Sequence, residues 1–185
     1  MSAILKKYGK GISFSDYRKI NPDFEKAMKL LEVGWFSEAE DIFEDIAKKD
    51  FKPEPPMVKT SKEKLKEIKK AVDDRLKEIR QNIEAGKKKE ALVELYILRG
   101  RCKQMKVQTT LTKEIKALEK DDAIDRDLVK KAKQEEKACE IFLKAEGYFA
   151  EGNIKSAKNY FERVEGVYKE TSFYEKALKR LEEIK

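Results

Sequence analysis

The sequence predicts an all-α protein built as an array of helical hairpins. Three segments share one spacing: a glycine, an alanine five residues later, a large apolar residue four after that and an aliphatic residue three further on. Apolar residues at intervals of three and four indicate amphipathic helices, and a preceding glycine indicates a hairpin turn. Recurrence of such a unit along one chain is typical of stacked helical hairpins. The matching sets are Gly34, Ala39, Phe43 and Ile46; Gly86, Ala91, Leu95 and Leu98; and Gly152, Ala157, Phe161 and Val164.

The N-terminal part predicts an arm followed by a first hairpin. Residues 1–20 contain two glycines and alternate basic with apolar side chains, which indicates a flexible or docked arm. A single elongated helical repeat domain is expected over residues 21–185. Asn21 and Pro22 suit a helix cap and a first helical residue, and the hairpin that they open spans residues 21–50. Ser37 with Glu40 predicts a capping box for the second helix.

The central part predicts a longer hairpin over residues 60–120. Prolines at positions 53, 55 and 56 indicate a rigid connector before it, and Thr60 with Glu63 predicts the cap that restarts the helix. Apolar residues recur at helical spacing on both sides of Gly86. Residues 87–120 fit one long helix or two helices, and their weakest helical sequence is the β-branched stretch at 107–110.

The C-terminal part predicts a last hairpin and a capping helix. The hairpin spans residues 124–169 around Gly152 and Asn153, and the helix spans residues 172–185, with Ser172 and Glu175 as its capping box. The whole chain then holds about seven helices with a long central hairpin.

The composition argues against catalysis. Charged residues make up 43% of the chain, the net charge is +7 and histidine is absent. Without histidine the chain lacks the commonest general base and transition-metal ligand, and it has no P-loop or other nucleotide or nucleophile motif. We therefore expect no catalytic residues, no cofactor and no metal. No apolar run approaches the roughly 18 residues needed to cross a bilayer, so we expect no membrane span. Cys102 and Cys139 lie at apolar positions 37 residues apart, which favours buried free thiols and a cytoplasmic setting.

Two of the units resemble tetratricopeptide repeats. The residues that carry the resemblance are Ala145, Tyr148, Gly152, Asn153, Ile154, Ala157, Phe161 and Val164 in the last unit, and Ala27, Leu30, Gly34, Phe36, Ala39, Phe43 and Ile46 in the first. The turn glycines lie 52 and 66 residues apart, unlike the near-constant period of that family. Other helical bundles follow the same packing rules, so a general hairpin bundle is the alternative.

The resemblance implies a protein-interaction module, such as an adaptor, scaffold or assembly factor. Its apolar groove would be lined by the first helix of each unit and would bind a peptide or a helix of a partner. The candidate groove residues are Phe24, Met28 and Leu31 in the first unit, and Cys139, Phe142, Glu146 and Phe149 in the last. Trp35, in the first turn, is a separate candidate anchor for a partner.

The distribution of charge supplies two further hypotheses. Residues 21–51 hold nine acids and four bases, whereas residues 86–120 hold ten bases and four acids. The first alternative is a self-associating structural subunit, in which the acidic hairpin of one copy meets the basic region of another. The second is a nucleic-acid-associated protein that uses a basic patch of Arg99, Arg101, Lys103 and Lys106. A solvated surface of mixed charge is the plain alternative to both.

Overall fold

The computed structural model describes residues 13–51 and 54–184, and these residues form helices with no strand among them. This confirms the predicted all-α array of packed helices, with eight helices in the described part where the sequence predicted about seven. They are α1 (Phe14–Glu32), α2 (Phe36–Ala47), α3 (Pro56–Glu84), α4 (Lys88–Arg101), α5 (Gln108–Leu118), α6 (Arg126–Ala150), α7 (Ile154–Val167) and α8 (Tyr174–Glu183).

The contacts of the chain group into two compact units, Met1–Ala71 and Val72–Lys185. In the first unit α1 packs against α2. In the second, α4 packs against α5 and α6, α6 against α7, and α7 against α8. The predicted organisation as an arm and one domain over residues 21–185 stays a prediction.

Helix α1 begins earlier than the sequence predicted. Ser13 caps it, since the Ser13 hydroxyl accepts a hydrogen bond from the Asp16 backbone N–H at 3.1 Å. Pro22 therefore lies inside the helix, where its missing N–H leaves one turn of the backbone ladder open. The predicted start at Asn21 and Pro22 is wrong, because Ser13 caps the helix eight residues before Asn21. Residues 1–12 of the predicted arm lie outside the described part of the chain.

The core of the first unit joins both helices of the hairpin to the start of α3. Ile20, Ile46, Met57 and Val58 form one buried cluster. Helix α3 begins at Pro56, where a proline at the first helical position loses no hydrogen bond. The Pro55 carbonyl accepts from the Val58 N–H at 3.1 Å, so the connector ends four residues before the Thr60 that was expected to restart the helix.

Each of the three glycines in the repeated pattern ends a helix in the same way. Gly34, Gly86 and Gly152 have φ values of +77°, +81° and +77°. Each donates its N–H to the carbonyl three residues back, and the next residue donates to the carbonyl five residues back, over distances of 2.9–3.0 Å. This is the Schellman arrangement, in which a left-handed residue closes the helix end. The predicted glycine turns are confirmed.

The predicted capping boxes do not form. Ser37 is buried inside α2, Thr60 lies inside α3, and Ser172 bonds to another helix. The side-chain caps of α6 and α7 are instead Asp125, which accepts from the Leu128 N–H at 2.7 Å, and Asn153, which accepts from the Ser156 N–H at 3.2 Å. A Ser/Thr-x-x-Glu match is short enough to occur by chance inside a helix.

Residues 87–120 form two helices, α4 and α5. The break lies at residues 102–107, and Gln104 within it has φ +73°. The Gln104 N–H donates to the side-chain oxygen of Gln108 at 3.1 Å, which fixes the turn before α5. Thr109 and Thr110, in the stretch where the break was expected, lie inside α5.

Candidate partner-binding site

The face of α6 that was expected to line a groove is closed in the structure. Phe142 is 7% exposed, and its ring centroid lies 5.5 Å from that of Phe161 and 5.6 Å from that of Phe173. Ser172, next to Phe173, is held by Glu135 of α6, whose two carboxylate oxygens accept from the Ser172 N–H and hydroxyl at 2.8 Å each. The loop before α8 is thereby fastened onto α6, and Phe142 is core rather than an open binding residue.

Glu146 lies on the same closed face and pairs with Arg180 of α8. Its carboxylate accepts from the Arg180 Nε at 2.6 Å and from a terminal nitrogen at 3.2 Å, and the guanidinium lies 5.4 Å from the Phe149 ring centroid. Burial raises the pKa of Glu146 despite this pairing, since the carboxylate is almost fully buried. Burial alone would lower the pKa of Arg180, but hydrogen bonds to Glu146 and Glu183 raise it. Burial outweighs the ion pair at Glu146 but not at Arg180, because the guanidinium is the more exposed partner.

The candidate residues of the first unit are partly used by its own core. Phe24 packs edge-to-face on Phe43, with centroids 6.0 Å apart, and against the buried cluster of that unit. Met28, Leu31 and Trp35 are each half-buried. Their binding of a partner stays a prediction, while Phe24 contributes to holding the hairpin together.

The predicted basic patch is largely neutralised by α6. Arg99 donates two hydrogen bonds of 2.6 Å to Glu136, and Lys103, one turn later, bonds to Glu140 at 3.2 Å. Arg101 is half-buried, with its Nε buried and lacking a hydrogen-bond partner in the structure. Lys106 is the one exposed member that forms no ion pair with the described residues. These pairs reduce the positive field that phosphates would need.

Helices α4 and α6 also pack against each other at Gly100 of α4, where an added Cβ would make ordinary contacts with α6. A Cβ added at Gly100 would lie 3.4 Å from the Glu136 carbonyl oxygen and 3.7 Å from the Cys139 Cβ. Cys102 and Cys139 are both buried and form no disulfide, as predicted, and burial raises the pKa of Cys139 to about 12. Cys139 is therefore part of the seam between α4 and α6 and does not line an open groove.

An open groove lies between α7 and α8. It encloses about 240 Å³ and is lined by Leu178, Leu181, Lys158, Glu162, Glu165 and Glu182. Lys158 lies 3.9 Å from Glu162, whereas Glu165 and Glu182 form no ion pair with any residue in the described ranges. The groove is thus lined by two half-buried leucines, three glutamates and one lysine. The sequence analysis placed Leu178 and Leu181 on the apolar face of the last helix but did not identify the groove, because its second wall comes from α7.

A second open surface lies where α6 packs against α7, and it shares no residue with the groove. The rings of Tyr148 and Tyr160 stack with centroids 5.4 Å apart and an interplanar angle of 28°. Lys144 places its Nζ 4.9 Å from the Tyr160 centroid. The pKa of Tyr160 is lowered, first by a hydrogen bond from Lys144 and further by Tyr148 and the charge of Arg163. We call these four residues the Tyr160 cluster. Sequence reasoning missed it because its members come from two helices.

Comparison of the chain with protein-family models, with curated proteins and with solved structures finds no match. None of the helices in residues 13–51 and 54–184 combines the length and the apolar character needed to span a membrane. Within the same residues, no group of three acidic or cysteine side chains is placed to hold a metal ion.

Proposed function

We propose that this chain is a non-catalytic protein-interaction module, an adaptor, scaffold or assembly factor of the tetratricopeptide-like kind. The observation that supports the proposal is the groove between α7 and α8. It is an open cleft on the last two helices of the described part, where a further helix would pack in an extended helical array. In such an array an outer face without a neighbour is expected to be polar, yet this one retains Leu178 and Leu181.

The partner that fits the groove best is an amphipathic helix with basic residues beside its apolar stripe. Leucine or similar side chains at intervals of three and four would contact Leu178 and Leu181. Lysine or arginine on the flanks would face Glu165 and Glu182, whose charges are not compensated within the described part of the protein. Exposed charge pairs of this kind set orientation and encounter rate, and the apolar contact supplies most of the affinity.

The test uses a fluorescently labelled designed peptide, a helix with a leucine stripe flanked by lysines, in a polarisation titration with the whole chain. We expect saturable binding that is weakened about tenfold or more by Leu178→Ser together with Leu181→Ser, and less strongly by Glu165→Lys with Glu182→Lys. Glu170→Lys is the matched control, since Glu170 is exposed and does not line the groove. No binding, or equal binding by a glutamate-flanked peptide, would contradict the proposal.

Self-association is the second candidate function, and the structure suggests a different basic surface for it. A shallow depression of about 400 Å³ along α5 is lined by Gln108, Thr109, Thr112, Lys113 and Lys116. Both lysines are exposed and form no ion pair with described residues. The same is true of Asp41 and Asp45 on α2. The acidic α2 of one copy would then meet α5 of another rather than Arg99 and Lys103.

Light scattering after size exclusion, at low and high salt, separates the two candidates. A salt-sensitive oligomer that Lys113→Glu with Lys116→Glu dissociates would favour self-association, because salt screens exposed charge pairs. A monomer at both salt concentrations would favour the adaptor. A cytoplasmic location remains part of the proposal and is supported by the two buried cysteines, which form no disulfide. Nucleic-acid association stays a third prediction.

A further inference from the structure

We propose that the Tyr160 cluster, formed by Lys144, Tyr148, Tyr160 and Arg163, binds the phosphate group of a phosphorylated side chain on a partner protein. The site lies on α6 and α7 and shares no residue with the groove between α7 and α8. A test of this site is therefore independent of a test of the function proposed above.

The first argument is the lack of compensating charge. In the same unit, Arg99, Lys103 and Arg180 are each paired with a glutamate across a helix interface. Lys144 and Arg163 form no ion pair with the described residues, although the charge of Arg163 is near enough to act on Lys144. Two neighbouring cations without a counter-charge raise each other's energy, and a bound anion would relieve that repulsion.

The second argument is the arrangement of hydrogen-bond donors around the cations. Stacking against Tyr148 holds the Tyr160 ring in place, and the ring in turn lies beside the Lys144 ammonium. Tyr160 is half-buried, and a hydrogen bond from Lys144 lowers the pKa of its phenol. Arg163 lies one turn after Tyr160 on α7, and Lys144 lies one turn before Tyr148 on α6, so an ammonium, a guanidinium and two phenols lie on adjacent turns of two packed helices.

These donors fit a phosphate monoester better than other anions. A phosphorylated side chain carries a charge of about −1.5 to −2 near neutral pH and three strongly accepting oxygens, which matches two cations and two hydroxyls. Arginine and phosphate pair through two parallel hydrogen bonds. A carboxylate offers one charge and two oxygens. A nucleic-acid backbone offers single charges in a row, whereas these cations occupy one spot and not a stripe.

The experiment is a titration of the whole chain with a short peptide containing one phosphoserine, followed by NMR shifts of the Tyr160 and Arg163 amides. We expect saturable shifts with the phosphopeptide and none with the unphosphorylated peptide. Lys144→Ala and Arg163→Ala should each weaken binding by about tenfold, the usual size of a lost charge-assisted contact. Tyr160→Phe, which keeps the ring stack, should weaken it by a smaller factor.

The matched control is Lys131→Ala, which removes an exposed lysine from another face of α6. Circular dichroism of every variant checks that the helices remain formed. Equal weakening by Lys131→Ala, equal binding of a peptide with glutamate in place of phosphoserine, or no saturable shift would overturn the proposal. Binding of inorganic phosphate without binding of the phosphopeptide would also overturn it, because it would indicate a free anion as the ligand.

Discussion

The two faces of helix α6 use neighbouring residues in opposite ways. Phe142 and Glu146 point to the side that Phe173 and Arg180 close, and there Glu146, the one buried carboxylate of residues 13–51 and 54–184, accepts from the guanidinium at 2.6 Å. Lys144 and Tyr148, two residues further on in each case, lie beside Tyr160 on an open surface. The closed face requires compensation because an unpaired charge away from water is costly, whereas water tolerates uncompensated Lys144. An open surface can therefore keep charges available for a ligand.

The largest expected effect comes from the closed face. Phe142→Ala should lower the free energy of unfolding by about 3–4 kcal/mol, because it removes a buried ring between Phe161 and Phe173. Tyr148→Ala, on the open face, should cost about 1 kcal/mol, since that ring is half-buried. Urea denaturation measures both. Similar decreases in the free energy of unfolding for the two variants would mean that α6 does not have one buried face and one open face.

The buried ion pair gives the next effect in size. Glu146→Ala should destabilise the protein by about 2 kcal/mol, below the usual figure for breaking a buried pair because Arg180 is partly exposed and keeps Glu183. Glu183→Ala, at the exposed end of the same network, should cost about 0.5 kcal/mol or less. Glu146→Gln keeps the shape of the side chain and should cost less than the alanine variant.

The pH dependence of Glu146 should differ from that of an ordinary paired carboxylate. Its pKa is raised above 4.5, so the native protein takes up a proton at this group at higher pH than the unfolded chain does. Its contribution to stability therefore grows as the pH falls towards 4.5. Urea titrations of wild type and Glu146→Gln should show the wild type gaining relative to the variant over that range. If the wild type instead lost stability relative to the variant as the pH falls, the pKa of Glu146 would not be raised.

The next effect in size concerns the turn between α6 and α7, where Gly152 can be compared with Gly166. Gly152 and Gly166 both have no heavy atom within 4 Å of an added Cβ, but Gly152 has φ +77° and Gly166 lies within α7. Gly152→Ala should cost about 1 kcal/mol and loosen the Tyr148–Tyr160 stack. Gly166→Ala should stabilise the helix by about 0.5 kcal/mol. Thermal melts that moved in the same direction would argue against the backbone explanation.

The smallest effect is spectroscopic and concerns two tyrosines. The pKa of Tyr160 is lowered from 10 by Lys144, whereas burial and the hydrogen bond to Glu119 raise the pKa of Tyr96. In a near-ultraviolet titration Tyr160→Phe should remove the earliest tyrosinate signal, and Tyr96→Phe the latest. Because the folded pKa of Tyr96 is raised, its contribution to stability is complete below about pH 10 and is lost at higher pH. An early signal that persisted in Tyr160→Phe would contradict the geometry of the cluster.

Sequence reasoning predicted the fold better than the candidate site. The glycine turns at residues 34, 86 and 152 are local features, and their left-handed backbone is the reason for the pattern. The helix starts were less predictable, because Ser13 and Pro56 competed with later residues that offered equally good caps. Phe142 and Glu146 were assigned to an open groove, since nothing local to α6 shows that Phe173 and Arg180 close over them.

The sequence by itself determined that the chain is helical and where three of its hairpins turn. Both depend on interactions within a few residues: the period of 3.6 residues per turn and the freedom of glycine to adopt positive φ. Only the tertiary structure decided which faces are closed and which charges are paired. Arg99 with Glu136, Arg180 with Glu146 and Tyr148 with Tyr160 join separate helices. Such pairs depend on how amphipathic helices pack, which helical periodicity along one segment does not specify.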